Sequence, residues 1–419
     1  MFTRIEAERF RAIKRIDLRL RPFQALVGPN ASGKTTVLDV VELLGDLIRE
    51  RGDVRAVVQK RSADFAKLVW LGEGDRFRLA VEAPIPPDVL GRVMDERRHL
   101  GIARYEIEIA LDRERDEIGL DHETLWTLPE SSVSKRPQRE LFPAAFQGAK
   151  EIFLGNAKTR KALVKKVPGG NDNYYPDGRS AYQPSFRNGR RQAALANVPA
   201  DAETFVVATW FRGLLERGIQ NIQLDASALR RPSPPGLGQR FQPDGSNLPW
   251  IVSRLAERPD RFGRWLKHVR TSLVDVETIE TVEREEDRKR YLVVRYANGA
   301  RVPSWLLSDG TLRLLALTVL TYLDENDAVY LIEEPENGIH PRAIETVMES
   351  LRSIYDSQVL VATHSPVALN MLDAADVLCV AKTDEGATDI VSGDEHPALR
   401  DWKRGEPDLG VLLASGILS

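Results

Sequence analysis

Cysteine is nearly absent: one residue, Cys379, stands in a chain of 419. No disulfide can form within the chain, and thiols held this scarce suit a reducing compartment. Long apolar runs are missing too. The longest, around Leu312 to Leu323, is too short and too interrupted to cross a bilayer. Met1 to Leu20 alternates charged and apolar residues and lacks the continuous apolar core of a secretory signal. Excess charge of one sign is also lacking, with a net charge of −3, so nothing global marks a nucleic-acid binder and any such role must rest on a local patch. There is no internal repeat and no heptad run long enough for an extended coiled coil. These absences lead to the expectation of a soluble, cytoplasmic protein with no membrane association.

Material for a core is plentiful, at 42% hydrophobic residues, and the length fits two or three substructures. Gly28-Pro29-Asn30-Ala31-Ser32-Gly33-Lys34-Thr35 fits the phosphate-loop pattern G-x-x-x-x-G-K-[ST]. In that pattern backbone N–H groups cradle phosphates, the lysine reaches the β- and γ-phosphates, and the hydroxyl completes a Mg²⁺ shell. The context is right. Gln24 to Val27 reads as a short buried strand, and Val37, Leu38, Val41, Leu44 and Ile48 recur at helical spacing after Lys34. A solvated Gly-rich turn would not bring that context with it. Gly28, Asn30, Ala31, Ser32, Gly33, Lys34, Thr35 and Thr36 are therefore the candidate ATP contacts.

Two further strings complete a site. Ala328 to Ile332 is a continuous apolar strand ending in Glu333-Glu334-Pro335. Side chains alternate along a strand, so its two carboxylates point apart and can do different jobs. Glu333 would join Thr35 in the Mg²⁺ shell, and Glu334 would orient and activate the attacking water. Just upstream, Leu307-Ser308-Asp309-Gly310-Thr311 opens a helix whose apolar face is Leu312, Leu315, Ala316, Val319, Leu320 and Leu323. The Ser308 hydroxyl, the Gly310 N–H and the helix dipole make a γ-phosphate acceptor. His364, in Ala362-Thr363-His364-Ser365-Pro366 after the next strand, can sense or bind the γ-phosphate. Phosphate loop and Glu-Glu strand are expected to lie side by side in one parallel sheet, with the middle of the chain inserted between the two halves of the head.

Three segments follow from this reading: 1–111 and 290–419 form the head, and 112–289 is the insert. Arg76 to Glu82 and Ala103 to Leu111 read as strands of an antiparallel layer, and Asn298-Gly299 as a hairpin turn. The insert holds a basic loop over 135–191, with 13 Lys/Arg against 4 Asp/Glu. Phe142, Phe146, Phe153, Tyr174, Tyr175, Tyr182 and Phe186 are interleaved with that charge, followed by helical patterns at 202–217 and 247–270. Phosphate pairing and base stacking would use such a surface. Lys135, Arg136, Lys165, Lys166, Arg190 and Arg191 are its candidate nucleic-acid contacts, against the plain reading of a solvated loop.

The motifs, their order and their spacing resemble the ABC-type ATPase heads of the SMC, RecF and OLD-like group. Glu333-Glu334-Pro335-Glu336-Asn337-Gly338-Ile339-His340-Pro341 is similar to the bacterial branch of standalone AAA-type ATPases that includes the OLD family. Ala208-Thr209-Trp210, Leu224-Asp225 and the stretch from Asp401-Trp402 resemble that branch as well. The resemblance implies an α/β P-loop NTPase of ABC type: a mixed sheet, an antiparallel β layer and an inserted helical, basic subdomain. It also implies an ATP-dependent homodimer or higher oligomer in which two heads sandwich two ATP molecules, Ser308 of one protomer facing the γ-phosphate held by Lys34 of the other, with Asn337 to His340 along the interface. Asn30 matches the phosphate-loop Asn of the group, and Arg11 a basic residue near the nucleotide. Asp309 and Thr311 depart from the usual Gly and Gln of the dimer motif. Gln59 and Gln147 are candidates for the glutamine loop.

OLD-type nucleases carry a C-terminal TOPRIM domain with metal-holding acidic residues. Here 53 residues follow Pro366, too few for it, and Asp373, Asp376, Asp384, Asp389, Asp394 and Glu395 read as a solvated face. A nuclease effector is thus expected to be a separate protein. The function implied is ATP hydrolysis by Glu334, His364 and Lys34, driving a DNA-associated switch in bacterial genome maintenance or anti-phage defence. The alternatives are the energising subunit of a membrane transporter and a weakly hydrolysing ATP-dependent scaffold.

Overall fold

The computed structural model describes residues 1–130, 140–145, 152–237, 240–324, 327–397 and 409–416. Strands β1 (Arg4–Phe10) and β2 (Ile13–Arg19) form a hairpin about Arg11 and Ala12, and β3 (Phe23–Val27) leaves it for a second sheet. The hairpin continues through β4 (Arg76–Pro84), β5 (Ile102–Asp112), β6 (Glu117–Leu128), β7 (Lys161–Lys166), β8 (Asp172–Tyr174) and β9 (Ser185–Phe186). Together they make an eight-stranded antiparallel sheet in the order β2-β1-β4-β5-β6-β7-β8-β9. The sheet thus runs across the boundary expected at residue 112. The basic stretch supplies the far strands of the N-terminal sheet, and β6, hidden in the sequence by three acidic residues and a glycine among its apolar positions, is its longest strand.

The second sheet carries the order β10-β14-β15-β3-β16-β17, from β10 (Ile219–Ile222), β14 (Val329–Glu333), β15 (Gln358–Ala362), β3, β16 (Val377–Lys382) and β17 (Thr388–Ser392). All are parallel except β17. Here the expectation of neighbouring strands needs correcting: β15 lies between β3 and β14. Every residue of β3 is buried, as a parallel strand covered on both faces requires. Leu26 joins one apolar core, and Ala25 and Val27 join the other.

The first core lies against helix α1 (Lys34–Arg49), whose Val37, Val41, Leu44 and Ile48 meet both sheets, with α2 (Val54–Gln59) and α4 (Val206–Gly213) beside it. The second core holds α6 (Leu248–Ala256), α7 (Pro259–Val269), α8 (Asp309–Val319) and α9 (Pro341–Arg352). It also holds a small sheet of β11 (Val276–Glu283), β12 (Arg290–Tyr296) and β13 (Arg301–Pro303), turned at Asn298-Gly299 as expected. Pro259 at the first turn of α7 splits what reads as one helix over 247–270. The short helices α3 (Pro87–Leu90), α5 (Ala226–Arg230) and α10 (Pro366–Leu369) complete the set used below. No described helix is long and apolar enough to cross a membrane.

A buried ionic knot ties the antiparallel sheet together. Arg104 reaches Glu6 at 2.5 Å, Glu82 at 2.7 Å and Glu106 at 2.7 Å, and donates to the Ile152 carbonyl at 2.6 Å. Its side chain is 1% exposed. Removing one partner from such a cluster leaves uncompensated buried charge, so Arg104→Met should lose about 3–5 kcal/mol of stability. Thermal unfolding checks this; an unchanged melting temperature would contradict the assignment.

Candidate functional site

The loop between β3 and α1 closes on itself. Lys34 is buried, and its ammonium donates to the carbonyls of Gly28 (2.8 Å) and Pro29 (2.9 Å). Burial lowers the Lys34 pKa, and the nearby Glu334 and Glu333 oppose that shift. Asn30, Ala31 and Thr35 are exposed, whereas Ser32, Gly33 and Thr36 are buried. Among the described residues, the buried Ser32 hydroxyl has no hydrogen-bond partner. A buried polar group left unpaired is costly, so this one marks a place where an acceptor fits. Phosphate oxygens are such acceptors.

The loop has a support that sequence reasoning missed. Thr388 at the start of β17 donates from Oγ1 to the Ser32 carbonyl (2.8 Å) and from its amide to the Ala12 carbonyl (3.0 Å). Gly33, at φ +111°, has no room for a Cβ, which would fall 2.1 Å from Thr388 Oγ1. No local pattern could announce a threonine acting across more than 350 residues.

Across β15, the acidic strand end meets the loop directly. Thr35 Oγ1 donates to Glu333 Oε2 at 2.7 Å. These two oxygen donors are the kind a small divalent cation takes, so the pair fits Mg²⁺. Glu334 turns the other way. Its Oε1 lies 3.5 Å from His364 Nε2, and Asn337 donates to its Oε2. Its backbone sits at φ +46°, a left-handed conformation that costs a non-glycine residue of order 1 kcal/mol and recurs at functional sites. The Glu334 amide donates to the Ala362 carbonyl at 2.7 Å, which pins the turn.

Glu336 is a second residue that sequence reasoning missed. Its Oε1 accepts from Thr363 Oγ1 (2.6 Å) and from the His364 amide (3.0 Å), which fixes the histidine loop to the acidic turn. The signal available was the repeated acid in Glu-Glu-Pro-Glu. Lys34, Thr35, Glu333, Glu334 and His364 are thus brought into one cluster from both ends of the chain.

The acceptor string lies elsewhere. Ser308 caps α8, accepting from the Thr311 amide at 3.2 Å and meeting Thr311 Oγ1 at 2.9 Å. Among the described residues its hydroxyl makes no bond to the phosphate loop of its own chain. Gly310 is held against the loop after the acidic strand: a Cβ there would stand 2.5 Å from the Gly338 carbonyl. Arg11 is engaged by Asp39 of α1 at 2.6 Å. Gln59 is exposed at the end of α2, and Gln147 lies outside the described residues.

The basic candidates fare differently. Lys166 is buried and paired with Asp172 at 2.6 Å. Arg190 pairs with Asp121 (2.6 Å) and Asp112 (3.4 Å), and Arg191 with Glu117 (2.7 Å). Lys165 is half-buried on β7, and Lys135 and Arg136 lie outside the described residues. Arg190 and Arg191 thus meet acids at the end of β5 and on β6, outside the basic stretch itself. In the C-terminal acidic stretch, Asp373 and Asp376 both bind Arg352.

Comparison with known proteins bears on family and fold. The family described as "AAA domain, putative AbiEii toxin, Type IV TA system" matches residues 23–370. Curated relatives include an OLD nuclease of Thermus scotoductus, 48% identical over 48 residues, which are 11% of this chain and 9% of the relative. The Old nuclease of Escherichia phage P2 is 34% identical over 89 residues, 18% of this chain and 15% of the relative. The chain therefore spans under a fifth of the length of either nuclease. Among solved structures, an SMC head bound to the C-winged helix domain of ScpA matches with TM-score 0.50 at 15% identity, covering 93% of this chain and 96% of that one. The fold is that of a P-loop NTPase.

If Glu336 positions His364, Glu336→Ala should cut steady-state nucleotide hydrolysis by roughly 10–100-fold while leaving nucleotide affinity near that of the parent. Phosphate release and equilibrium binding check this. Unchanged hydrolysis would remove Glu336 from the site.

Proposed function

The chain belongs to this AAA-domain family, within the SMC, RecF and OLD-like group of ABC-type ATPases, and from that premise we propose that it hydrolyses ATP at a composite site closed by a second copy of itself. The observation that carries this reading is the contact of Thr35 with Glu333 beside the pair Glu334–His364. On ATP binding, Lys34 exchanges two backbone carbonyls for phosphate oxygens, and the Ser32 hydroxyl gains a partner. Thr35 and Glu333 would hold Mg²⁺, which when bound neutralises charge on the β- and γ-phosphate oxygens. Glu334 orients the attacking water and takes its proton, with Asn337 and His364 fixing the carboxylate.

Closure by a second copy is supported by the exposed Ser308, whose hydroxyl bonds, among the described residues, within its own turn. Trp305 and Leu306, exposed apolar residues just ahead of it, give such an interface something to bury. The cycle of closure and hydrolysis would switch a separate effector in genome maintenance or anti-phage defence, a role that the local likeness to OLD nucleases supports. We place DNA contact at the β8–β9 edge, where Arg179 and Arg187 stand exposed beside Tyr182 and Phe186, instead of at the ion-paired Lys166, Arg190 and Arg191.

Glu334→Gln separates binding from turnover. With ATP it should form a stable dimer, hydrolyse at least about 100-fold more slowly than the parent, and retain the effector and nucleic acid on affinity purification. Light scattering, phosphate release and identification of co-eluting molecules check the three parts. A monomer in ATP with unchanged turnover would contradict the proposal.

A further inference from the structure

Asp309 is the oddity in the acceptor string, and the fold supplies a counterpart from a distant segment. Asp309 is the first residue of α8, directly after Ser308. A carboxylate there already occupies the favourable end of the helix dipole. It also repels an incoming phosphate, whose charge has the same sign. Left alone, Asp309 would make the N-terminus of α8 a poor acceptor for a γ-phosphate.

It is not left alone. Arg230, the last residue of α5, places Nη2 2.5 Å from Asp309 Oδ1, and the same nitrogen donates to the Leu307 carbonyl at 3.1 Å. The guanidinium therefore holds the residues on both sides of Ser308. The Arg230 carbonyl in turn accepts from Ser304 Oγ at 3.1 Å. At the other end of α5, Arg313 of α8 donates to the Leu224 carbonyl at 3.1 Å. The short helix is thus strapped to α8 at two points, and Arg230 is the strap beside the acceptor.

We propose that Arg230 is a positioning residue for nucleotide-driven closure. It cancels the Asp309 carboxylate and fixes the loop, so that the Ser308 hydroxyl and the Gly310 N–H can receive the γ-phosphate held by a second copy. The proposal rests on the dimer reading above and adds the residue that lets an Asp-containing acceptor work. A merely structural clamp and a charge-cancelling one make opposite predictions when both partners are removed. In the first case the loop stays slack; in the second, the repulsion vanishes with its source.

The experiment uses the full-length chain in the Glu334→Gln background, with ATP as the probe and the dimer dissociation constant as the readout by analytical ultracentrifugation. Arg230→Ala should weaken the ATP-dependent dimer by roughly tenfold or more, an effect that shrinks as salt rises. Adding Asp309→Gly to Arg230→Ala should return dimerisation to within about threefold of the background, because the two changes are coupled. Arg230→Lys, which keeps the charge, should weaken the dimer less than Arg230→Ala does. Melting temperature and the affinity of the isolated protomer for a fluorescent ATP analogue serve as controls for folding. A double variant no better than Arg230→Ala, or an Arg230→Ala variant that dimerises like the background, overturns the charge-cancelling role. A background protein that fails to dimerise in ATP overturns the dimer reading itself, and Arg230 with it.

Discussion

The structure depends on one meeting of side chains: the Thr35 hydroxyl on the Glu333 carboxylate, between residues 298 apart in sequence. For these atoms to touch, β3 and β14 must end at the same level of one sheet, with β15 as the spacer between them. The rest of the chain is arranged around that requirement. The antiparallel sheet and α1 cover one face, and the helices leading into and out of the acidic strand cover the other. The chemistry concentrates at the strand ends, where exposed loops carry the groups that a parallel core positions. Local order there is bought with strain at Glu334, which the Ala362, Asn337 and His364 contacts offset.

The candidate site was legible in the sequence because its parts are local strings with a physical grammar. A glycine-rich turn between a buried strand and a helix, two acids closing an apolar run, and a serine capping a helix each announce themselves within ten residues. Most of the supports were not legible, the repeated acid at Glu336 being the one local signal. Thr388, Glu336 and Arg230 act on segments that neighbour them only in three dimensions, and no spacing rule covers a bond between β17 and the phosphate loop. The order of strands was likewise hidden, since period-two and apolar runs identify strands but not their neighbours. The intervening β15 is where that reading failed.

The basic stretch shows a different limit. Composition over 135–191 counts charges without knowing their partners, and the acids that neutralise Arg190 and Arg191 lie upstream of the window, on and beside β6. Burial then removes Lys166, which Asp172 holds in the sheet. A net charge computed along the chain is a statement about a surface only when the chain lies flat. Here it folds into strands, and Lys166, Arg190 and Arg191 of the apparent patch enter ion pairs within the chain.

The central claim is that a working site needs the phosphate loop of one copy and the Ser308 turn of another. Mixing two disabled variants tests it most directly. Lys34→Ala removes the phosphate-binding cation, and Ser308→Arg blocks the acceptor, so each alone should be inactive. In an equal mixture, mixed dimers regain one intact site, and hydrolysis should recover to roughly a quarter of the wild-type rate for a randomly assorting symmetric dimer. A mixture as inactive as its components would contradict the shared site.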